Sequence, residues 1–252
     1  SEPILQAFAQ TTGIQVRPVF DVEATKTTGL VNRLIAEAPA PQADVWWNGE
    51  FAQTLLLKDK GVLAPYRPAR ADELPPNCLD ADQMWTALAG RARVIIVNTD
   101  LVAEVDYPRT REDLVADRWR PGEIGIAYPL FGTTATEAAA LYAVLGPERA
   151  RAWYRRLRAS GARVVDGNSV VRDLVAAGQL KAGLTDTDDA YGAVKRGAPV
   201  AIIPPDQEGT GTLIIPGTVA LVAKGPNPGA GARLVDFLTS PEAERMLIDS
   251  GF

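Results

Sequence analysis

Three aspartates, Asp186, Asp188 and Asp189, fall within four residues of one another. Carboxylates this close repel when all are ionised, so the cluster asks for a hard cation, an ammonium group or solvent beside it. The plainer reading is a solvated turn with one Asp capping the helix that follows. Gly132-Thr133-Thr134 and Gly167-Asn168-Ser169 each stand just ahead of a helical pattern. Backbone amides and hydroxyls at a helix start suit a phosphate, a phosphonate or a carboxylate. Thr27-Thr28-Gly29 is a third such group, and for all three the competing role is plain helix capping. Arg91 and Arg93 share one face of a strand, because side chains alternate with period two. One would clamp an anion in bidentate fashion and the other would make a surface ion pair. Trp46 and Trp47 end a short apolar stretch, so Trp47 is a candidate to line a cleft beyond the end of a strand.

What is absent narrows the chemistry further. The chain has no histidine, which removes histidine-dependent nucleophile systems, His-ligated zinc and a histidine base. Cys78 stands alone, so neither an internal disulfide nor a thiolate metal cluster is available. A net charge of −5 argues against a nucleic-acid partner. No apolar run approaches the roughly 20 residues that span a bilayer, and no basic-then-apolar signal precedes Ser1. Fingerprints for a serine elbow, a phosphate-binding loop or a dinucleotide fold are missing. The competing enzyme class is a carboxylate-based hydrolase. Such an enzyme needs two acids straddling its substrate, whereas the Asp cluster lies to one side.

The elements that must hold these groups follow an α/β rhythm. A helix opens the chain at Ser1-Glu2-Pro3 and stops at Gly13. Strands are expected at 14–20, 43–47, 93–98, 123–127, 161–165 and 182–184, the last running into an acidic loop over 185–189. Helices are expected from 30, from 51, and over 136–145, 147–157 and 169–177, with two more after 231 divided at Ser240-Pro241. The stretch 212–223 is expected to be interrupted at Pro216-Gly217. Alternation of this kind points to parallel sheets flanked by helices. No polar linker halves the chain, so two lobes require a chain that crosses between them more than once. The expected division is 1–95 with 218–252 as one lobe and 96–217 as the other, crossing near 93–98 and 212–223.

Five segments in order resemble a known family. They are Pro3-Ile4-Leu5 through Ile14 and Val16, then Gln42-Ala43-Asp44-Val45-Trp46-Trp47, then Trp85 through Val94. Gly167-Asn168-Ser169 and Asp236-Phe237-Leu238 with Ser240-Pro241-Glu242-Ala243 complete the set. Together they are similar to the type II periplasmic solute-binding proteins of ABC importers, in the branch with ferric-ion, thiamine and phosphonate receptors. The resemblance implies a two-lobed α/β fold of the periplasmic-binding-protein-like II type, each lobe a mainly parallel sheet, with ligand in the cleft. It implies a first strand ahead of Ser1 and a longer C-terminal end, so the expectation here is a sheet without its first strand. It further implies a non-enzymatic monomer outside the cytoplasm after loss of a signal peptide, with ABC permease subunits as partners and no resident cofactor. The ligand is expected to be a metal ion with a helper anion, or a phosphate- or phosphonate-type anion. Glu50 matches the neighbourhood of an acidic metal ligand, and the Gly132 and Gly167 loops match anion-contacting loops. Where ferric-binding relatives carry adjacent tyrosines, this sequence has Asp188 and Asp189, so the phenolate set is replaced by carboxylates.

Overall fold

The computed structural model describes residues 2–20, 29–130 and 132–250. The chain forms two compact units, one from Ser1–Gly90 with Pro216–Phe252 and the other from Arg91–Ile215. The chain passes between them at Gly90/Arg91 and Ile215/Pro216, each boundary a few residues ahead of the expected 95/96 and 217/218. Residues 91–95 fall in the second unit. There Arg93 is fully buried, and Val94 and Ile95 belong to hydrophobic cores.

The first unit is built on β8 (Ile214–Val222), which pairs antiparallel with both β1 (Val45–Asn48) and β2 (Leu63–Ala64). Its alternation sorts the core. Val219 and Leu221 pack with α1 (Glu2–Thr12), α8 (Pro228–Leu238) and α9 (Pro241–Ser250). Ala220 and Val222 face α2 (Gly29–Glu37) and α3 (Ala52–Asp59). Two expectations are corrected here. Residues 14–20 form no strand: Ile14 and Val16 do turn inward, but no described strand pairs with them, and alternation without a ladder is not a strand. β8 also runs straight through Pro216-Gly217. Its ladder with β1 begins at Thr218, so β1 never asks Pro216 for an amide hydrogen. A side chain at Gly217 would lie 2.9 Å from the Leu88 carbonyl and 3.1 Å from that of Asn48.

The second unit is a three-layer sandwich. Its sheet runs β7 (Val200–Ile203), β3 (Thr86–Asn98), β6 (Ala182–Asp186), β4 (Ile124–Ala127), β5 (Arg163–Val165). The last three are mutually parallel, whereas β3 runs antiparallel to β6 and β7. The sheet of the second unit is therefore mixed, and the described ladders of the first unit are antiparallel, where mainly parallel sheets were expected. On β3, Ile95 and Val97 face the helices α4 (Gly132–Leu145) and α5 (Pro147–Ala159). Val94 and Ile96 face α6 (Asn168–Ala176) and α7 (Thr187–Lys195). Gly125 and Gly183 let β4 and β6 approach closely: a methyl at Gly183 would sit 2.6 Å from the Gly125 carbonyl. That approach fixes where β6 delivers Asp186.

Candidate functional site

Each parallel strand of the second unit leads into a helix: β4 into α4, β5 into α6, β6 into α7. Parallel strands end on the same side of the sheet, so three helix starts meet there, the place where open α/β sheets bind ligands. The antiparallel register then sets Arg93 directly opposite Asp186. Arg93 is 0% exposed and Asp186 1%.

The guanidinium of Arg93 organises the cluster. Its Nη1 donates to Asp186 Oδ1 at 2.7 Å, to Asn168 Oδ1 at 2.9 Å and to Thr133 Oγ1 at 3.4 Å. Its Nε donates to Glu137 Oε2 at 2.9 Å. Thr133 Oγ1 donates to Asp186 Oδ2 at 2.6 Å, and Asn168 Nδ2 reaches the same oxygen at 3.1 Å. Thr134 Oγ1 donates to Asn168 Oδ1 at 3.2 Å. Burial works against the charged form of Arg93, but the Glu137 and Asp186 carboxylates outweigh it and hold the group above its ordinary value. Glu137 also accepts from Arg111 Nε at 3.3 Å, and Arg111 makes an ion pair with Asp206 at 2.9 Å. Charges thus alternate from Asp206 through Arg111, Glu137 and Arg93 to Asp186. Among the described residues, Arg93 Nη2 is buried with no hydrogen-bond partner.

The aspartates do not form the expected loop. Asp186 ends β6 and stands at the N-cap of α7, while Asp188 and Asp189 lie in that helix's first turn. Their oxygens come within 4.8 Å of one another, close enough to ligate one ion. Each nevertheless faces an arginine already. Asp186 has Arg93, Asp188 has Arg91 at 3.4 Å, and Asp189 accepts from Arg172 Nη1 at 2.9 Å. Arg91 also lies 3.9 Å from Asp186. Burial pushes Asp188 above the ordinary carboxylate range, Arg91 opposes that rise and Asp186 adds to it. Asp188 Oδ1 is buried without a hydrogen-bond partner among the described residues.

That raised value has a stability consequence. In the window between the ordinary Asp value and the raised one, the folded chain binds more protons than the unfolded chain, so stability falls as pH rises through it. Asp188→Asn should flatten this part of the stability-pH curve and leave the neutral-pH melting temperature equal to or above wild type. Thermal melts across the acidic range check it, and a lower neutral melting temperature would show that the Arg91 pair outweighs burial.

Gly132 takes a positive φ of 54° at the start of α4, and Ser169 lies half-buried in the first turn of α6. Thr133 and Thr134 turn their hydroxyls inward to Asp186 and Asn168. Glu50 lies in the first unit, where its carboxylate accepts from the amides of Ala52 at 2.7 Å and Gln53 at 3.2 Å and from Asn48 Nδ2 at 3.0 Å, securing the start of α3. Trp47 pairs with Val219 and packs against the core of that unit, while Trp46 Nε1 donates to Thr54. Thr27 and Thr28 lie outside the described residues. Sequence reasoning missed Glu137, Arg111, Asp206 and Arg172. Glu137 stood four residues after Thr133, on the same helix face, which is a usable signal. Arg111 and Asp206 meet only through the fold, and spacing could not have joined them.

Residues 2–252 match the family described as bacterial extracellular solute-binding protein, and the chain belongs to that family. Iron uptake protein A1 of Synechocystis sp. is 26% identical over 257 residues, spanning 97% of this chain and 69% of the relative. The structure of a ferric binding protein from Campylobacter jejuni superposes with a TM-score of 0.89 at 25% identity, covering 99% of this chain and 81% of that one. The periplasmic binding protein AfuA from Actinobacillus pleuropneumoniae, with fructose-6-phosphate bound, gives 0.85 at 22% identity, covering 99% and 78%. The chain is therefore a solute-binding component on a periplasmic-binding-protein fold. These relatives are binding proteins, and they lend no support to the hydrolase alternative.

Proposed function

We propose that this chain captures a small anion of the phosphate or phosphonate type outside the cytoplasm and delivers it to the permease subunits of an ABC importer. The observation that carries the choice of ligand is the pairing of every aspartate in the Asp186, Asp188 and Asp189 cluster with an arginine. A bare cation entering there meets Arg91 3.4 Å from Asp188 and must displace charge already matched. An anion meets the opposite field: three helix starts and the cation Arg91, with the charge of the buried Arg93 behind them. Asp188 then suits a hydroxyl or ammonium group on the same ligand. Family membership supports the delivery role and the extracytoplasmic setting.

A second reading, a metal ion with a helper anion, is favoured by one observation. The three aspartates bring oxygens within 4.8 Å of one another, in a chain whose relatives include an iron uptake protein and a ferric binding protein. Thermal-shift measurements separate the two. Sugar phosphates and phosphonates should raise the melting temperature, while ferric ion with citrate or carbonate should leave it unmoved. Stabilisation by the ferric mixtures alone would favour the second reading. A response to neither class, with hydrolysis detected, would defeat both.

A further inference from the structure

The acidic chain carries one strongly basic face, and it lies away from the ligand cluster in sequence and in element. Residues 146–163 hold six arginines against one acid, Glu148, in a chain whose net charge is −5. Helix α5 buries Ala150, Trp153 and Leu157 in the core of the second unit, which fixes its orientation. The opposite side presents Arg149, Arg151, Arg155, Arg156 and Arg158, all exposed. Arg151, Arg155 and Arg158 follow each other at i, i+4 and i+7 and so form one stripe.

Folding does not account for this stripe. Like charges at i, i+4 destabilise a helix. Arg156 and Arg158 suit the negative end of the helix dipole, but Arg149 and Arg151 stand near the positive end, where cations are unfavourable. Arg151 pairs with Glu148 and Arg156 with Glu112, both at exposed positions. Among the described residues Arg149, Arg155 and Arg158 have no carboxylate within ion-pair distance. Arg163, four residues beyond the helix on the edge strand β5, is exposed as well.

We propose that this face of α5 rests on anionic phospholipid headgroups, keeping the protein at a membrane surface. Guanidinium forks match phosphate oxygens. The exposed residues among the arginines are Glu148, Ala152 and Ala159, so the face offers no aromatic anchor of the kind a protein partner engages. Exposed Val144 and Val164 sit at its sequence margins, in keeping with shallow contact at a lipid interface. The idea goes beyond the ligand reading and uses only its extracytoplasmic setting.

The test is co-sedimentation of the full chain with phosphatidylcholine vesicles, with and without phosphatidylglycerol. Binding should require phosphatidylglycerol and vanish when salt shortens the Debye length to about 3 Å. Each basic side chain near an anionic surface contributes about fivefold in partitioning, so Arg151→Gln, Arg155→Gln and Arg158→Gln together should reduce it on the order of a hundredfold. Arg67→Gln with Arg70→Gln, exposed in the first unit, should leave it unchanged. The triple variant should melt at or above the wild-type temperature, because repulsion along the stripe is relieved. No binding to phosphatidylglycerol, or full binding by the triple variant, would overturn the proposal. So would recruitment to neutral vesicles only when they carry the permease, which would point to an acidic protein partner instead. A wild-type chain that fails to bind vesicles yet is stabilised by sugar phosphates would lose this proposal and keep the ligand reading.

Discussion

Arg93→Met is expected to lower the melting temperature of the whole chain by roughly 10 °C. Breaking a buried ion pair from one side costs about 3–5 kcal/mol, and in a chain of this size each kcal/mol is about 2–4 °C. Arg93 is the position where that figure applies in full, because its guanidinium serves Glu137, Asp186, Asn168 and Thr133 at once. Methionine leaves Asp186 with the Thr133 hydroxyl, the Asn168 amide and a single long contact to Arg91 at 3.9 Å, and leaves Glu137 with Arg111 at 3.3 Å. Arg93→Lys should fall between, since one ammonium cannot replace a fork that reaches carboxylates on two elements. Arg93→Met combined with Glu137→Leu removes a cation and an anion together, so its loss should be smaller than the sum of the single losses. Denaturation of wild type, Arg93→Met, Glu137→Leu and the double variant gives the comparison, and strictly additive losses would mean that Arg93 and Glu137 do not depend on each other.

Arg91→Gln should behave in the opposite way, with little change in melting temperature and a loss of anion affinity on the order of a hundredfold. Its side chain is 17% exposed where that of Arg93 is fully covered, so an arriving anion meets Arg91 before it meets Arg93. Its ion pairs to Asp188 and Asp186, at 3.4 and 3.9 Å, are long, and the partly exposed one to Asp188 contributes about 0–1 kcal/mol to folding. A charge-assisted hydrogen bond to a bound anion contributes about 1.5–3 kcal/mol, which gives the affinity estimate. Titration calorimetry with a sugar phosphate or phosphonate measures it. Unchanged affinity would place the anion away from Arg91.

Much of this was legible in residue types and spacing. The α/β rhythm showed because β3 and β8 carry long apolar stretches and the helices between strands place apolar residues at helical spacing. Arg93, Thr133, Asn168 and Asp186 were each singled out by position at a strand or helix end. What spacing could not show is that they bond to one another, since the contacts span 18 to 93 residues of sequence. The Asp cluster was read as a loop because three acids in four residues look like a solvated turn. The arginines that let it begin a half-buried helix, Arg91, Arg93 and Arg172, come from other elements. Residues 14–20 misled for the converse reason: their alternation is genuine, but a strand also needs a neighbour.

Arginines match each carboxylate of the Asp186, Asp188 and Asp189 cluster, which on the proposed reading serves an anion rather than a bare cation. The most direct test of that reading is titration of ferric ion, with carbonate as helper anion, into wild type and into Asp188→Asn with Asp189→Asn. The account predicts the same weak response from both chains. Tight ferric binding by wild type that is lost in the double variant would contradict it and make the three carboxylates a metal site.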